Sequence, residues 1–90
     1  MHHFRGKLFQ GAEIRLDPAN IYIQYRAPEG EQGQGWYGYL LVDSETAVEP
    51  RGTYTLKLMD GRAGQLRIDE VSVDESGKLR ATFFGEGSLG

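Results

Sequence analysis

The chain predicts an all-β fold, and within that class a small antiparallel β-barrel of six or seven strands ending in two bulged hairpins. Three observations carry this. Apolar and polar residues alternate along most of the chain, the pattern of strands with one buried face. Turn-forming residues interrupt the alternation at short intervals, within a composition of 13 glycines and 5 tyrosines. No segment of useful length carries the period of an amphipathic helix. Closure into a barrel removes edges that so short a chain would otherwise have to blunt with charges. A two-sheet β-sandwich is the alternative.

His3 to Gln10 reads as a first strand, with Phe4 and Leu8 on one face. Gly11 breaks it, and Glu13 to Leu16 continues it or pairs with it, Ile14 and Leu16 pointing inward. Asp17-Pro18-Ala19-Asn20 is a turn by composition. Ile21 to Arg26 alternates cleanly, with Ile21, Ile23 and Tyr25 opposed to Tyr22, Gln24 and Arg26. Ala27 to Gly35 is low in complexity and reads as a flexible, exposed loop. Gly35 to Asp43 is apolar on both faces, Trp36, Leu40 and Val42 on one and Tyr37, Tyr39 and Leu41 on the other. Such a strand is either covered on both sides or keeps its second face for contact. Ser44 to Gly52 turns the chain back, with Pro50-Arg51-Gly52 as the last turn.

The stretch from Thr53 to Phe84 fixes its own register, because directly opposed residues share a face. A two-residue Asp60-Gly61 loop would set Tyr54 against Arg67 and Leu56 against Gln65, which mixes faces. A Met59-Asp60-Gly61 loop opposes Tyr54 to Leu66 and Leu56 to Gly64, and places glycine where a bulged turn needs a left-handed residue. Loops of Asp60 to Arg62 or Asp60 to Gly64 keep the same parity. In the second hairpin a Glu75-Ser76-Gly77 loop opposes Val73 to Leu79 and Val71 to Ala81, with Asp74 capping the turn. Between the hairpins the apolar phase flips from Ile68 to Val71, which calls for a bulge near Asp69-Glu70.

Ninety residues, with 26% charged and 39% hydrophobic, make one globular domain spanning residues 1–90. No apolar run is long enough to cross a membrane, and the N-terminus lacks a signal-peptide pattern. The absence of cysteine excludes disulfides and thiolate metal sites. Cytoplasm is the default compartment.

Candidate chemistry is sparse. His2 and His3 are the only histidines, at a terminus expected to fray, with no third ligand nearby; no metal or cofactor is expected. With no cysteine and no interior histidine, nucleophile–base pairs are absent, so no catalytic residue is assigned. The carboxylate pairs Asp69-Glu70 and Asp74-Glu75 point to opposite faces and cannot converge on one substrate. The segment Gly30 to Gly35 lacks the lysine, hydroxyl and helix of a phosphate loop. Asp74-Glu75-Ser76 resembles the start of the DxSxxG signature of PilZ barrels, which bind cyclic dinucleotides. The required glycine would fall at Leu79 and no RxxxR pair precedes it, so the resemblance stops there. The GxYxLxLxDGRxGxLxI pattern of Gly52 to Ile68 is similar to small bacterial β proteins and transfers no site.

What remains is aromatic. Tyr37 and Tyr39 are the outward pair of their strand, with Tyr22 and Arg26 on a neighbouring one, and rings of this kind suit protein interfaces. The expectation is a non-enzymatic binding or assembly module that contacts a protein partner or a second copy through this strand face. Single-stranded nucleic-acid binding on the barrel face is one alternative, with a stripe of Lys57, Arg67 and Arg80 as its basis. A net charge of -3 counts against it. Cross-strand pairing with Glu70 and nearby acids is the plainer use of those cations. Small-ligand binding under the 27–35 loop is the other alternative.

Overall fold

The computed structural model describes residues 1–26, 35–44 and 46–90. Six strands form a closed antiparallel barrel: β1 (His2–Gln10), β2 (Glu13–Arg26), β3 (Gly35–Val42), β4 (Thr53–Leu58), β5 (Ala63–Val73) and β6 (Leu79–Glu86). Their order around the barrel is β1-β2-β3-β6-β5-β4, and β4 pairs with β1 to close it. Two meanders, β1-β2-β3 and β4-β5-β6, are thus joined along both sides. No helix occurs among the described residues.

Both C-terminal hairpins have the register that parity demands. Tyr54 opposes Leu66 and Leu56 opposes Gly64. The Leu58 N–H donates to the Arg62 carbonyl at 2.8 Å, leaving Met59-Asp60-Gly61 as the loop, and Gly61 sits at φ 97. In the second, Val71 opposes Ala81 and Val73 opposes Leu79, the Asp74 N–H donates to the Lys78 carbonyl, and Gly77 sits at φ 84. The register slips between Ile68 and Glu70, so Asp69 is the bulge that turns both Ile68 and Val71 toward the interior side.

The N-terminal half departs from the expectation in two places. Asp17 to Asn20 is not a turn; β2 runs straight through it, with a cis Asp17–Pro18 bond and with Ala19 fully buried opposite Gly6. Proline has no N–H for a ladder, but the register slips between Gly6 and Leu8 and again between Leu8 and Phe9, and such bulges tolerate it. The second slip also reverses the phase of Ile14. It pairs with Phe9 on the outside and is 50% exposed, not inward, while Leu16 is buried as expected. Glu13–Leu16 and Ile21–Arg26 are consequently one strand, which makes the total six.

The core gathers the inward positions of every strand: Leu8, Ile21, Ile23, Leu40, Leu56, Leu66, Ile68 and Phe83 are all at most 1% exposed. Each end is closed. At one, the β3–β4 crossover pushes Val48 into the core; the Arg15 guanidinium holds the Thr46 and Ala47 carbonyls, and the Glu49 N–H donates to the Tyr54 hydroxyl at 2.8 Å. At the other, Gly90 and Ala63 exchange backbone hydrogen bonds and Leu89 packs on the core. There the Trp36 indole lies over Gly85 and Gly64, where a Cβ at Gly85 would overlap the ring, and its N–H donates to the Gly87 carbonyl at 3.0 Å.

Candidate binding face

A filled barrel leaves its outside for recognition, and the registers place outward residues of neighbouring strands in rows. His3 on β1 opposes Tyr22 on β2, and Tyr22 opposes Tyr39 on β3. The three rings stack: His3 and Tyr22 centroids are 4.8 Å apart with planes at 29°, Tyr22 and Tyr39 4.7 Å apart at 17°. Those separations match the spacing between strands, about 4.7–4.9 Å. The rings therefore stand upright, face to face, with their edges outward. Arg80 on β6 closes the row, its guanidinium carbon 4.2 Å from the Tyr39 centroid.

Both ends of the row are anchored. His3 Nε2 donates to Asn20 Oδ1 at 3.1 Å. Arg80 Nη2 lies 3.6 Å from Asp74 Oδ2 in the β5–β6 turn. Asp74 is itself fixed, accepting from the Ser76 hydroxyl at 2.6 Å and from the Ser76 and Lys78 N–H groups. The Ser76 hydroxyl foremost, then the Lys78 N–H, hold the Asp74 carboxyl below its usual range, with Arg80 adding to the effect.

A second row runs beside the first. Gln24 opposes Tyr37, Tyr37 opposes Phe84, and Phe84 opposes Arg67. Phe84 is 49% exposed, Tyr37 is half-buried, and Arg67 is exposed. Together the rows set Tyr22, Tyr39, Tyr37 and Phe84 over β2, β3 and β6, with Arg67, Arg80, Gln24 and Asn20 around them.

Of the residues the sequence singled out, Tyr22, Tyr37 and Tyr39 are brought together on this face. Arg26 ends β2 opposite Gly35, and its side chain lies outside the described residues, as does the segment 27–34 on which the small-ligand reading rests. His3 and Arg80, weighed in the sequence only as a metal ligand and as part of a cationic stripe, and Phe84 were not assigned to this face. The signal that could have found them is the β1–β2 and β3–β6 registers, which sequence parity within single hairpins does not supply. The N-terminus is not frayed, since His2 and His3 pair with Ile23 and Tyr22.

The cationic stripe does not form. Lys57 lies opposite Ala63 and Arg80 opposite Ser72, so with Arg67 the three charges occupy positions 63, 67 and 72 along β5. At roughly 3.3 Å per residue that spreads them over about 30 Å. Lys57 lies 5.2 Å from the Phe9 centroid, and the acid beside Arg80 is Asp74 rather than Glu70. Among the described residues no three acidic or histidine side chains gather to hold a metal, and no helix is long and apolar enough to cross a membrane. Comparison of the chain with known protein families, with curated proteins and with solved structures found no match.

Proposed function

We propose that this barrel is a non-enzymatic binding or assembly module of the cytoplasm that docks a protein partner on the outer face of β2, β3 and β6. Tyr22, Tyr39, Tyr37 and Phe84 form the contact, and Arg67 and Arg80 lie on its rim. The observation that carries this reading is the upright packing of the His3–Tyr22–Tyr39–Arg80 row. Ring edges, two phenol hydroxyls and a neighbouring exposed phenylalanine make a ridge that is apolar at its centre and polar at its tips, the composition of interface cores.

The same packing disfavours nucleic acid. A single-stranded binder offers free ring faces on which bases stack. Here the faces of Tyr22 are covered by His3 and Tyr39, and Tyr39 is covered by Tyr22 and Arg80. The net charge of -3 and the dispersed cations point the same way.

Affinity capture from a lysate of the source organism tests the reading, comparing the wild type with Tyr22→Ser/Tyr39→Ser and with Phe84→Ser. Circular dichroism first verifies that each variant is folded. A protein retained in stoichiometric amount by the wild type and lost by both folded variants supports it. Retention of a single-stranded oligonucleotide at low salt, abolished by the same substitutions, would replace it with the nucleic-acid reading. If Tyr37→Ala/Tyr39→Ala simply unfolds the chain, those rings serve the fold and the assigned face is wrong.

A further inference from the structure

The barrel is closed, but the last part of β5 runs on past the ladder that joins it to β4. Its last pairing on the β4 side is at Ile68, whose N–H donates to the Gly52 carbonyl and whose carbonyl accepts from the Arg51 N–H. The chain then turns away, the Gly52 N–H donating to the Glu49 carbonyl. Beyond the Asp69 bulge, β5 pairs with β6 alone. Glu70 faces β6, exchanging hydrogen bonds with the Thr82 hydroxyl, and so does Asp74, whose N–H donates to the Lys78 carbonyl. Backbone direction alternates along a strand, so the N–H and C=O groups of Val71 and Val73 point away from β6, to the open side. No described residue bonds to them.

We propose that this edge takes an extended cationic peptide segment as an added strand, on backbone groups the aromatic face does not use, although the two sites adjoin at Asp74 and Arg80. The edge has the two elements of strand addition: backbone groups that lack a ladder and side chains that alternate in character. Val71 is half-buried and Val73 is 60% exposed on one face, while Glu70 is exposed beside Ser72 on the other. The turn that follows adds Asp74 and Glu75, and beside it lies an open hollow lined by Ser72, Val73, Asp74, Glu75, Ser76 and Arg80.

Register arithmetic selects the occupant. In a second copy, the antiparallel pairing that uses all the open groups sets Val71 against Val73 and Val73 against Val71. The same pairing opposes Glu70 to Asp74 and Asp69 to Glu75, acid against acid, which is unfavourable across strands. A foreign strand in this register escapes the conflict when it carries Lys or Arg opposite Glu70 and Asp74 and apolar residues opposite the valines. Its pattern is basic, apolar, polar, apolar, basic. Arg51 and Arg67, exposed on the far side of the bulge, limit the acidic stretch to the β5 end and its turn.

The probe is the capped peptide Gly-Lys-Val-Ser-Val-Lys-Gly, added to the isotope-labelled chain and followed by amide chemical shifts and hydrogen exchange. Binding is expected to perturb residues 69–75 and to slow exchange at Val71 and Val73. Val73→Pro removes an N–H that makes no bond within the barrel, and Glu70→Lys reverses the flanking charge. Each is expected to weaken binding by about tenfold or more, as is N-methylation of the peptide's valines. Perturbations centred elsewhere, or binding indifferent to Val73→Pro and to Glu70→Lys, would overturn the proposal. So would slow Val71 and Val73 exchange in the free chain, or a dimer that Val73→Pro dissolves, since a second copy would then be the occupant.

Discussion

Gly85→Ala tests the packing at the closed end of the barrel through the sign of its effect. Gly85 lies in β6 opposite Leu66, in extended backbone where alanine is normally preferred by roughly 0.5–1 kcal/mol. With nothing above it, the substitution should stabilise. The Trp36 indole, however, occupies the space a Cβ would take. Trp36 is 3% exposed and meets Phe83 edge-on at 5.7 Å. Forcing a methyl beneath it costs about 1–3 kcal/mol if the ring shifts within the core. If the ring leaves, it forfeits about 2–3 kcal/mol of burial. The indole hydrogen bond to Gly87 adds about 1 kcal/mol to that loss. We expect a destabilisation of about 2–4 kcal/mol, which for a domain of this size lowers Tm by roughly 10–30 °C. Thermal unfolding by circular dichroism measures it, and the emission of the only tryptophan reports the ring locally. Pairing Gly85→Ala with Trp36→Leu should recover about 1 kcal/mol or more of the summed loss. Stabilisation by Gly85→Ala, or strict additivity in the pair, would refute the slot.

Tyr54→Phe strands the Glu49 N–H that holds the crossover, and denaturant unfolding is expected to show a loss of about 1 kcal/mol with little change in slope. Gly77→Ala places a Cβ at positive φ and should cost about 1–2 kcal/mol, with Gly77→Asn milder; equal losses would argue against a left-handed turn there. The Asp60 carboxyl, held down chiefly by the Arg62 side chain, and Asp74, held down chiefly by Ser76, both titrate below the ordinary aspartate pH in the folded chain. Their contributions are complete above that pH and fade as pH falls through the lowered folded values. Urea midpoints at about pH 5 and about pH 3 should therefore differ less in Asp74→Asn than in the wild type, and an unchanged difference would remove Asp74 from the acid response.

Turn chemistry and parity were legible because they are local. Asp-Gly-Arg and Glu-Ser-Gly each sit between strands whose apolar phase admits few loop lengths, so Tyr54 against Leu66 and Val73 against Leu79 follow from side-chain alternation alone. The bulge at Asp69 was legible for the same reason. Asp17-Pro18 misled because proline and aspartate favour turns locally, whereas β1 pairs on both sides of that site and the bulges absorb the missing N–H. Ile14 misled because a bulge changes phase without changing composition.

For the aromatic face, the sequence determined which tyrosines point outward, since parity assigns Tyr22, Tyr37 and Tyr39 a side without reference to any partner strand. Only the tertiary structure decided which of them touch. Strand order brings residues 3, 22, 39 and 80 into one row across β1, β2, β3 and β6, and no local rule encodes contacts so distant in sequence. The Trp36 slot is of the same kind. Glycine reads in sequence as a turn or a weak strand position, and its meaning at Gly85 depends on a ring arriving from a strand nearly fifty residues away. Alternation is written along the chain; adjacency between strands is set by closure of the barrel.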